Sequence, residues 1–562
     1  MKKLRVILPL FVLTAAMLLI TTALAAEEGT WGQLSWTLDD EGLLTVSGEG
    51  PMDDFESNYS YEAWQNYYYS ISALRIEEGV TSVGKYAFEV FNLRRIELPA
   101  SLTEMDENPF RYSSSLEEIV VAEENPSYMV VGGVLFNRAG TVLIKYPNAK
   151  SDTDYDIPAG VTRIGKYAFF RCSNLESVSF PEGLTQIGDG AFYDSYNLTL
   201  SQLPDSLVSI GENAFNGCTA DVFFIPANVR EIRASSIPDY CQSGIAVSPE
   251  NPWLTAENNI LFSKDKTELI YYFRWKEDAV YTVPSGVQVI REEAFQSCRN
   301  LTRVNLPDSL VRIGDGAFAY MYNLVSMAVP AGVTAMGEDA FRRCEKLASV
   351  TLPAGIGIIG NWSFEGCLAL TSVEIPSTVK EIGFSAFREC SRLTSVSLPG
   401  ALKTIGKAAF YGCIKLREVR VPAGTATQQW LFYGCALDLP ATVTDVGYAA
   451  FSITDVGEKI TADITLPENE EEELIIGDEA FRGIDAACVD LEDVASVGSK
   501  AFAYCPNLRY VYIGWDPQLA EDAFEGCSNL VFFADRNCRP EILEYAERNN
   551  IRVIEDEYYS EG

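Results

Sequence analysis

This 562-residue chain carries 13 cysteines, 79 carboxylates and no histidine, and those counts set the chemistry open to it. Without imidazole there is no Ser-His-Asp or Cys-His nucleophilic system, and no histidine can ligate a metal. Carboxylates can act in pairs on a glycosidic bond, yet no pair stands apart from an acidic background spread along the whole chain. The phosphate-cradling G-x-x-x-x-G-K-[ST] loop, Cys-x-x-Cys pairs and the Gly-x-Ser-x-Gly elbow are all missing. The sequence therefore assigns no catalytic residue, metal ligand or cofactor-binding residue. A non-catalytic protein is expected, with a carboxylate-dependent glycoside hydrolase as the remote alternative.

The cysteines resemble a disulfide framework until their register is read. Ten of them (Cys172, Cys218, Cys298, Cys344, Cys367, Cys390, Cys413, Cys435, Cys505 and Cys527) sit three residues after a recurring phenylalanine or its equivalent. One repeat position gives one column, in which stacked side chains point in parallel and not at each other. Buried free thiols acting as small apolar groups are expected; disulfides are the alternative. Cys241, Cys488 and Cys538 fall outside the column, and an odd total cannot pair completely.

Such a column needs a repeating element to hold it. Phe295, Phe318, Phe341, Phe364, Phe387 and Phe410 follow one another at an interval of 23 residues. One unit reads Leu301-x-x-Val304-x-Leu306-Pro307-x-x-Leu310-x-x-Ile313-Gly314-x-x-Ala317-Phe318. A period between 20 and 29 with this Leu-x-x-Leu-x-Leu core marks a leucine-rich repeat solenoid. Val304 and Leu306 alternate as on a short strand, Pro307 ends it, Gly314 permits a bend, and Ala317-Phe318 fills the coil from a helical turn. No coil buries these groups alone, so neighbours must stack. The expected fold class is an α/β-type repeat solenoid of short parallel strands and short helical turns, with two inserted β-hairpins and a cap at each end.

Along the chain, residues 1–25 read as a signal peptide: Lys2, Lys3 and Arg5, an apolar run from Val6, and the small-x-small site Ala23-Leu24-Ala25. An uncleaved anchor is the rival reading. Residues 26–78, with Leu34-x-Trp36-x-Leu38 and Leu44-x-Val46 around a polar turn, are expected to form an N-terminal β cap. The solenoid is expected over 79–536, and the C-terminal cap over 537–562. The period breaks twice. At an offset of 126 residues the two interruptions align without a gap: Glu124-Asn125-Pro126 with Glu250-Asn251-Pro252, Leu135-Phe136 with Leu261-Phe262, Tyr146 with Tyr272. Each reads as a hairpin inserted between coils, about 124–158 and 250–284, with two apolar strands around a polar turn (137–141 and 263–267). Beyond Phe410 the register loosens to Phe432, Phe451, Phe481, Phe502 and Phe524, and Glu468 with Glu470–Glu473 reads as a solvated acidic loop.

The unit LTSVEIPSTVKEIGFSAFREC resembles the bacterial BspA-like leucine-rich repeat family. The opening WGQLSWTLDDEGLLTVSGEGPM, the segment NPSYMVVGGVLFN and the ending ILEYAERNNIRV are similar to segments common in that family. The resemblance covers roughly residues 31–554. It implies a secreted or cell-surface protein, in a family some of whose members adhere to or bind host proteins.

Charge narrows the partners. The net charge of −36 falls to −39 once residues 1–25, with three basic and no acidic residues, are removed. Such a surface repels nucleic acid and anionic membranes. A protein or glycan ligand is expected, with no membrane span after signal removal, no cofactor and a monomeric state; a structural surface spacer is the alternative. Flanking positions of the mid-solenoid strands are mostly short and polar, as in Ser349/Thr351 and Ser395/Ser397, and lack the aromatic anchors of protein hot spots. Aromatic residues gather elsewhere: Trp253, Tyr271, Tyr272 and Trp275 along the second hairpin, and Tyr510, Tyr512 and Phe532 towards the C-terminus. These seven are the candidate ligand contacts, and the run Tyr271-Tyr272-Phe273-Arg274-Trp275 is the leading recognition element.

Overall fold

A computed structural model of the chain describes residues 27–416 and 474–556, apart from 56–62, 90–91, 107–108, 484–487, 492–493, 514–516 and 536–539, together with strand residues 418–420, 426–427 and 445–446. The expected signal segment, Phe432, Phe451, Cys435, Cys538 and the acidic run at 468–473 lie outside the described residues. The chain divides between Leu198 and Thr199 into two compact units.

In the second unit each regular coil contributes two short strands. Arg303–Asn305 pairs in parallel with Ser326–Ala328, and that strand pairs with Ser349–Thr351. Later in each coil, Val289–Ile290, Arg312–Ile313 and Ala335–Met336 form a second parallel ladder. Pro307 lies between the two strands of its coil, where no ladder donor is needed. The middle residue of the first strand points inward, so Val304, Val373 and Val396 are buried between exposed neighbours. Gly314 is required by close approach and not by a bend. A Cβ there would lie 2.5 Å from the Glu292 nitrogen of the preceding coil.

The Ala-Phe segment, expected as a helical turn, is not helical. The residues two before and two after the phenylalanine have positive φ: Glu293 and Ser297 around Phe295, Asp339 and Arg343 around Phe341, Ser385 and Glu389 around Phe387. Two left-handed residues per coil interrupt any helical ladder. The Phe amide instead reaches the next coil: Phe318 N–H donates to Ala340 O at 2.9 Å and Phe387 N–H to Ala409 O at 2.7 Å. The rings then stack face to face, with centroids 5.2 Å apart for Phe295–Phe318 and 5.3 Å for Phe387–Phe410. Among the described residues, Pro540–Arg548 is the one α-helix. It buries Ile542, Tyr545 and Ala546, with Tyr545 stacked on Phe532.

The thiol column is more than apolar filling. All described cysteines are free. Cys344 donates its S–H to Phe318 O at 3.1 Å, Cys390 to Phe364 O at 3.2 Å and Cys413 to Phe387 O at 3.1 Å. Each thiol thus serves a carbonyl of the coil before it, as a weak donor. Serine can take the same place: Ser195 Oγ donates to Phe169 O at 2.7 Å in the first unit.

The first unit opens with Glu27–Trp31, Leu34–Leu38 and Leu43–Ser47 paired antiparallel. Leu43–Ser47 then starts a parallel ladder through Ala73–Ile76, Arg95–Leu98 and Glu118–Val121. Trp64 is fully buried and stacks on Phe88, so it is the first rung of the ring column.

The two interruptions have three strands each, where the sequence reading has two. Tyr128–Val131 and Val134–Asn137 form a hairpin whose turn residues Gly132 and Gly133 both have positive φ. Asn258 and Asn259 play that part between Leu254–Glu257 and Ile260–Ser263. Two successive positive φ values fit a two-residue type I′ turn. The third strand, Val142–Lys145 or Glu268–Tyr272, pairs antiparallel with the hairpin and parallel with the next coil, at Arg163–Ile164 or Val289–Ile290. It therefore takes a coil's own place. Tyr146 N–H donates to Ala168 O and Tyr272 N–H to Ala294 O, as the phenylalanines do, and the two tyrosines stack on Phe169 and Phe295.

Candidate functional site

A buried asparagine roots each interruption. Asn125 Nδ2 donates to Pro99 O and Leu102 O, while its Oδ1 accepts from the amides of Ser127 and Tyr128. Asn251 repeats all four bonds with Pro226 O, Val229 O and the amides of Trp253 and Leu254. Every hydrogen-bonding capacity of these amides used here is met inside the protein, which fixes the hairpin on the coil before it.

From that root, the second interruption displays what the sequence marked only in part. Trp275 is 42% exposed and stacks on Tyr240, which is 54% exposed, with ring centroids 5.9 Å apart and planes at 21°. Trp275 Nε1 donates to the Asp239 carbonyl at 2.7 Å. The Asp239 side chain accepts from Arg274 at 2.7 Å and from the Gly217 amide at 3.2 Å. One aspartate therefore ties the ring pair, an arginine and the Phe215 coil together. Trp253 is 39% exposed and lies under Arg230, whose guanidinium carbon is 5.4 Å from the ring centroid.

Tyr271 and Tyr272 are not surface contacts, although the sequence reading placed them there. Each is 1% exposed. Their strand is an interior one, paired on both edges and covered on both faces, so alternation does not bring either ring to solvent. Tyr272 keeps its hydroxyl on Asp278 at 2.9 Å, and burial followed by that bond raises its pKa. Phe532 is likewise buried, because it pairs with Val511, the inward residue, and not with Tyr510 or Tyr512. Phe533 is its outward neighbour and stacks on Tyr512 at 5.0 Å. Tyr510 is exposed and Tyr512 half-buried. Of the seven candidates, Trp253, Trp275, Tyr510 and Tyr512 reach the surface.

Tyr240 and Asp239 escaped the sequence reading. Tyr240 meets Trp275 across 35 positions of sequence, and no periodicity marks that pairing.

In the same unit, a cleft of about 280 Å³ is lined by Glu212, Arg233, Glu293, Asp315, Asp339 and Arg342, among others, and its Glu293 lies within range of the Arg274 charge. Arg233 pairs with Glu212 at 3.3 Å, and Arg342 pairs with Asp339 at 3.2 Å and Glu365 at 2.7 Å. Burial first, then the Glu212 charge, raises the Glu293 pKa, while Arg274 and Arg233 oppose them.

Nucleophilic chemistry finds no support in the buried column. Burial pushes Cys298 and Cys344 up to about 12, which keeps those thiols protonated at neutral pH. Cys527 departs from this, with a pKa lowered by a hydrogen bond from Cys505. Among the described residues, no group of three or more acidic or cysteine side chains is placed to hold a metal, and no helix is long and apolar enough to cross a membrane.

Solved structures similar to this chain include bacterial leucine-rich repeat proteins. One from Eubacterium ventriosum is 24% identical, with a TM-score of 0.45, over 73% of this chain and 95% of that one. A leucine-rich cell surface protein from Faecalibacterium prausnitzii is 23% identical, with a TM-score of 0.39, over 70% and 94%. A Bacteroides ovatus protein is 20% identical, with a TM-score of 0.38, over 94% and 100%. No curated protein matches the chain. The BspA type leucine-rich repeat region (6 copies) matches residues 59–133, 146–248, 270–391, 311–438 and 436–546. With most of its length matched, and with the stacked coils seen above, the chain belongs to the BspA-type leucine-rich repeat family.

Proposed function

We propose that this protein is a non-catalytic binding protein, secreted or held at the cell surface, that presents its coils to a protein or glycan partner. The observation that carries this reading is the exposed Tyr240–Trp275 pair, fixed by Asp239 and Arg274. Aromatic groups supply large contact area at low entropy cost when they are held in place. In this reading residues 1–25 direct export, 26–78 and 537–562 cap a solenoid over 79–536, and the monomer is the working form. Tyr510 and Tyr512 form a second, smaller contact patch.

The test is a protein and glycan array probed with the wild-type chain and with Trp275→Ala. A ligand retained by the first and lost by a folded second supports the reading. Unchanged retention moves the site elsewhere. A structural spacer is the second reading, favoured by the short polar groups that the mid-solenoid strands expose, such as Ser372, Ser395 and Ser397. Array ligands that bind through those strands, or none at all, would favour it.

A further inference from the structure

Resting on that reading, we infer that the partner at Trp275 is a polypeptide segment that sets an apolar side chain on the Tyr240–Trp275 pair and a lysine or arginine side chain into the acidic cleft lined by Glu293 and Asp315. The apolar half follows from the rings. Both are about half exposed, and their positions are fixed by a stack, by the Nε1 bond and by the Arg274–Asp239 pair. A rigid exposed aromatic pair beside a fixed charge network has the composition of a protein hot spot.

The cationic half follows from the charge left over in the cleft. Its two arginines are consumed internally, Arg233 by Glu212 and Arg342 by Asp339 and Glu365. Glu292 lies beside Arg291 and Arg312. Glu293 and Asp315 remain in the lining without a cationic side chain in ion-pair contact among the described residues. The Asp315 carboxylate accepts the Glu338 amide at 3.0 Å. Glu293 senses Arg274, which is committed to Asp239. An anionic ligand would meet this surplus and be repelled, whereas a basic side chain meets two carboxylates that have no cationic partner among the described residues. The volume, about 280 Å³, suits one long side chain rather than a folded surface.

The experiment uses the full chain and an array of synthetic peptides. Each peptide pairs one Lys or Arg with one Leu, Phe, Tyr or Trp at varied spacing, and each has a counterpart with Glu in place of the base. Hits are titrated against wild type, Trp275→Ala, Glu293→Gln and the control Glu374→Gln, an exposed carboxylate on a strand of the same unit. The inference expects basic hits only, weakened about tenfold or more by Trp275→Ala and by Glu293→Gln, and changed less than about twofold by Glu374→Gln. Equal weakening by Glu293→Gln and Glu374→Gln would reduce the effect to general attraction by an acidic chain and overturn it. Absence of basic hits, or binding of an uncharged oligosaccharide at Trp275, would overturn it too. In the oligosaccharide case the site itself stands and the partner class changes; loss of all Trp275-dependent binding would remove the site as well.

Discussion

The two interruptions are the same device put to different uses. Both root on a buried asparagine with four bonds, both turn on two residues of positive φ, and both end in a tyrosine that stands in the phenylalanine column. Tyr146 bonds Asp152 and Tyr272 bonds Asp278 by their hydroxyls. The differences lie at matched positions 126 residues apart. Where the second has Tyr271, Arg274 and Trp275, the first has Lys145, Asn148 and Ala149. Lys145 is fully buried, and its ammonium has no hydrogen-bond partner among the described residues. Asn148 is buried as well and donates to Phe170 O. The first interruption thus turns polar groups inward, while the second sends an arginine and a tryptophan to a surface network. The shared residues brace the coils, and the unshared ones are free to specialise.

The largest expected effect tests the shared frame. Tyr146→Ala and Tyr272→Ala each remove a buried ring from a continuous stack, at a cost of about 3–5 kcal/mol. In a solenoid that loss should fall on neighbouring coils, seen as hydrogen exchange rising around 163–170 and 289–298 respectively. Uniform exchange along the chain, or a loss in only one of the two regions, would break the equivalence.

Next comes the buried lysine. Burial lowers the Lys145 pKa from 10.5 to about 8, with only the Cys172 site acting the other way. Between these values the unfolded chain holds a proton that the folded chain has released, so stability rises with pH across that window. Below about pH 8 the buried amine is charged in both states, and its full penalty applies. Lys145→Met should therefore stabilise the first unit at pH 7 by on the order of 3 kcal/mol. The advantage should shrink as pH rises from about 8 to 10.5, read as the difference in urea midpoints between the two proteins. Tyr271→Met should show no such slope below pH 9, and an identical slope would place its origin outside Lys145.

Trp275→Ala should weaken ligand retention strongly while changing stability by only about 1–2 kcal/mol, since the lost contacts are one exposed ring pair and one exposed hydrogen bond. Thermal unfolding read beside binding separates the two. A large fall in stability would make Trp275 a brace like Tyr272.

The smallest effect concerns the hairpin turns. Asn258 holds φ 51° where the first interruption has glycine. Asn258→Gly should relieve left-handed strain and stabilise the second hairpin by under about 1 kcal/mol. A destabilised hairpin in hydrogen exchange would show that its side chain has a further role.

The 23-residue interval of Phe295 to Phe410 determined the repeat and its interior unaided, because a fixed period can be met only by stacked equivalent coils. The same interval separates Tyr146 from Phe169 and Tyr272 from Phe295, so the tyrosine rungs were legible once the residue type was relaxed. The thiol column was also legible, but its bonds to preceding carbonyls were not, since they depend on how far one coil is displaced from the next. Burial of Tyr271, Tyr272 and Phe532 was decided by the tertiary structure alone. A strand covered on both faces hides residues that alternation would expose, and parallel register sets which residue of Val531–Asp535 points inward. The Tyr240–Trp275 pair was likewise invisible along the chain, because two side chains far apart in sequence become a site only when the fold bends both onto Asp239.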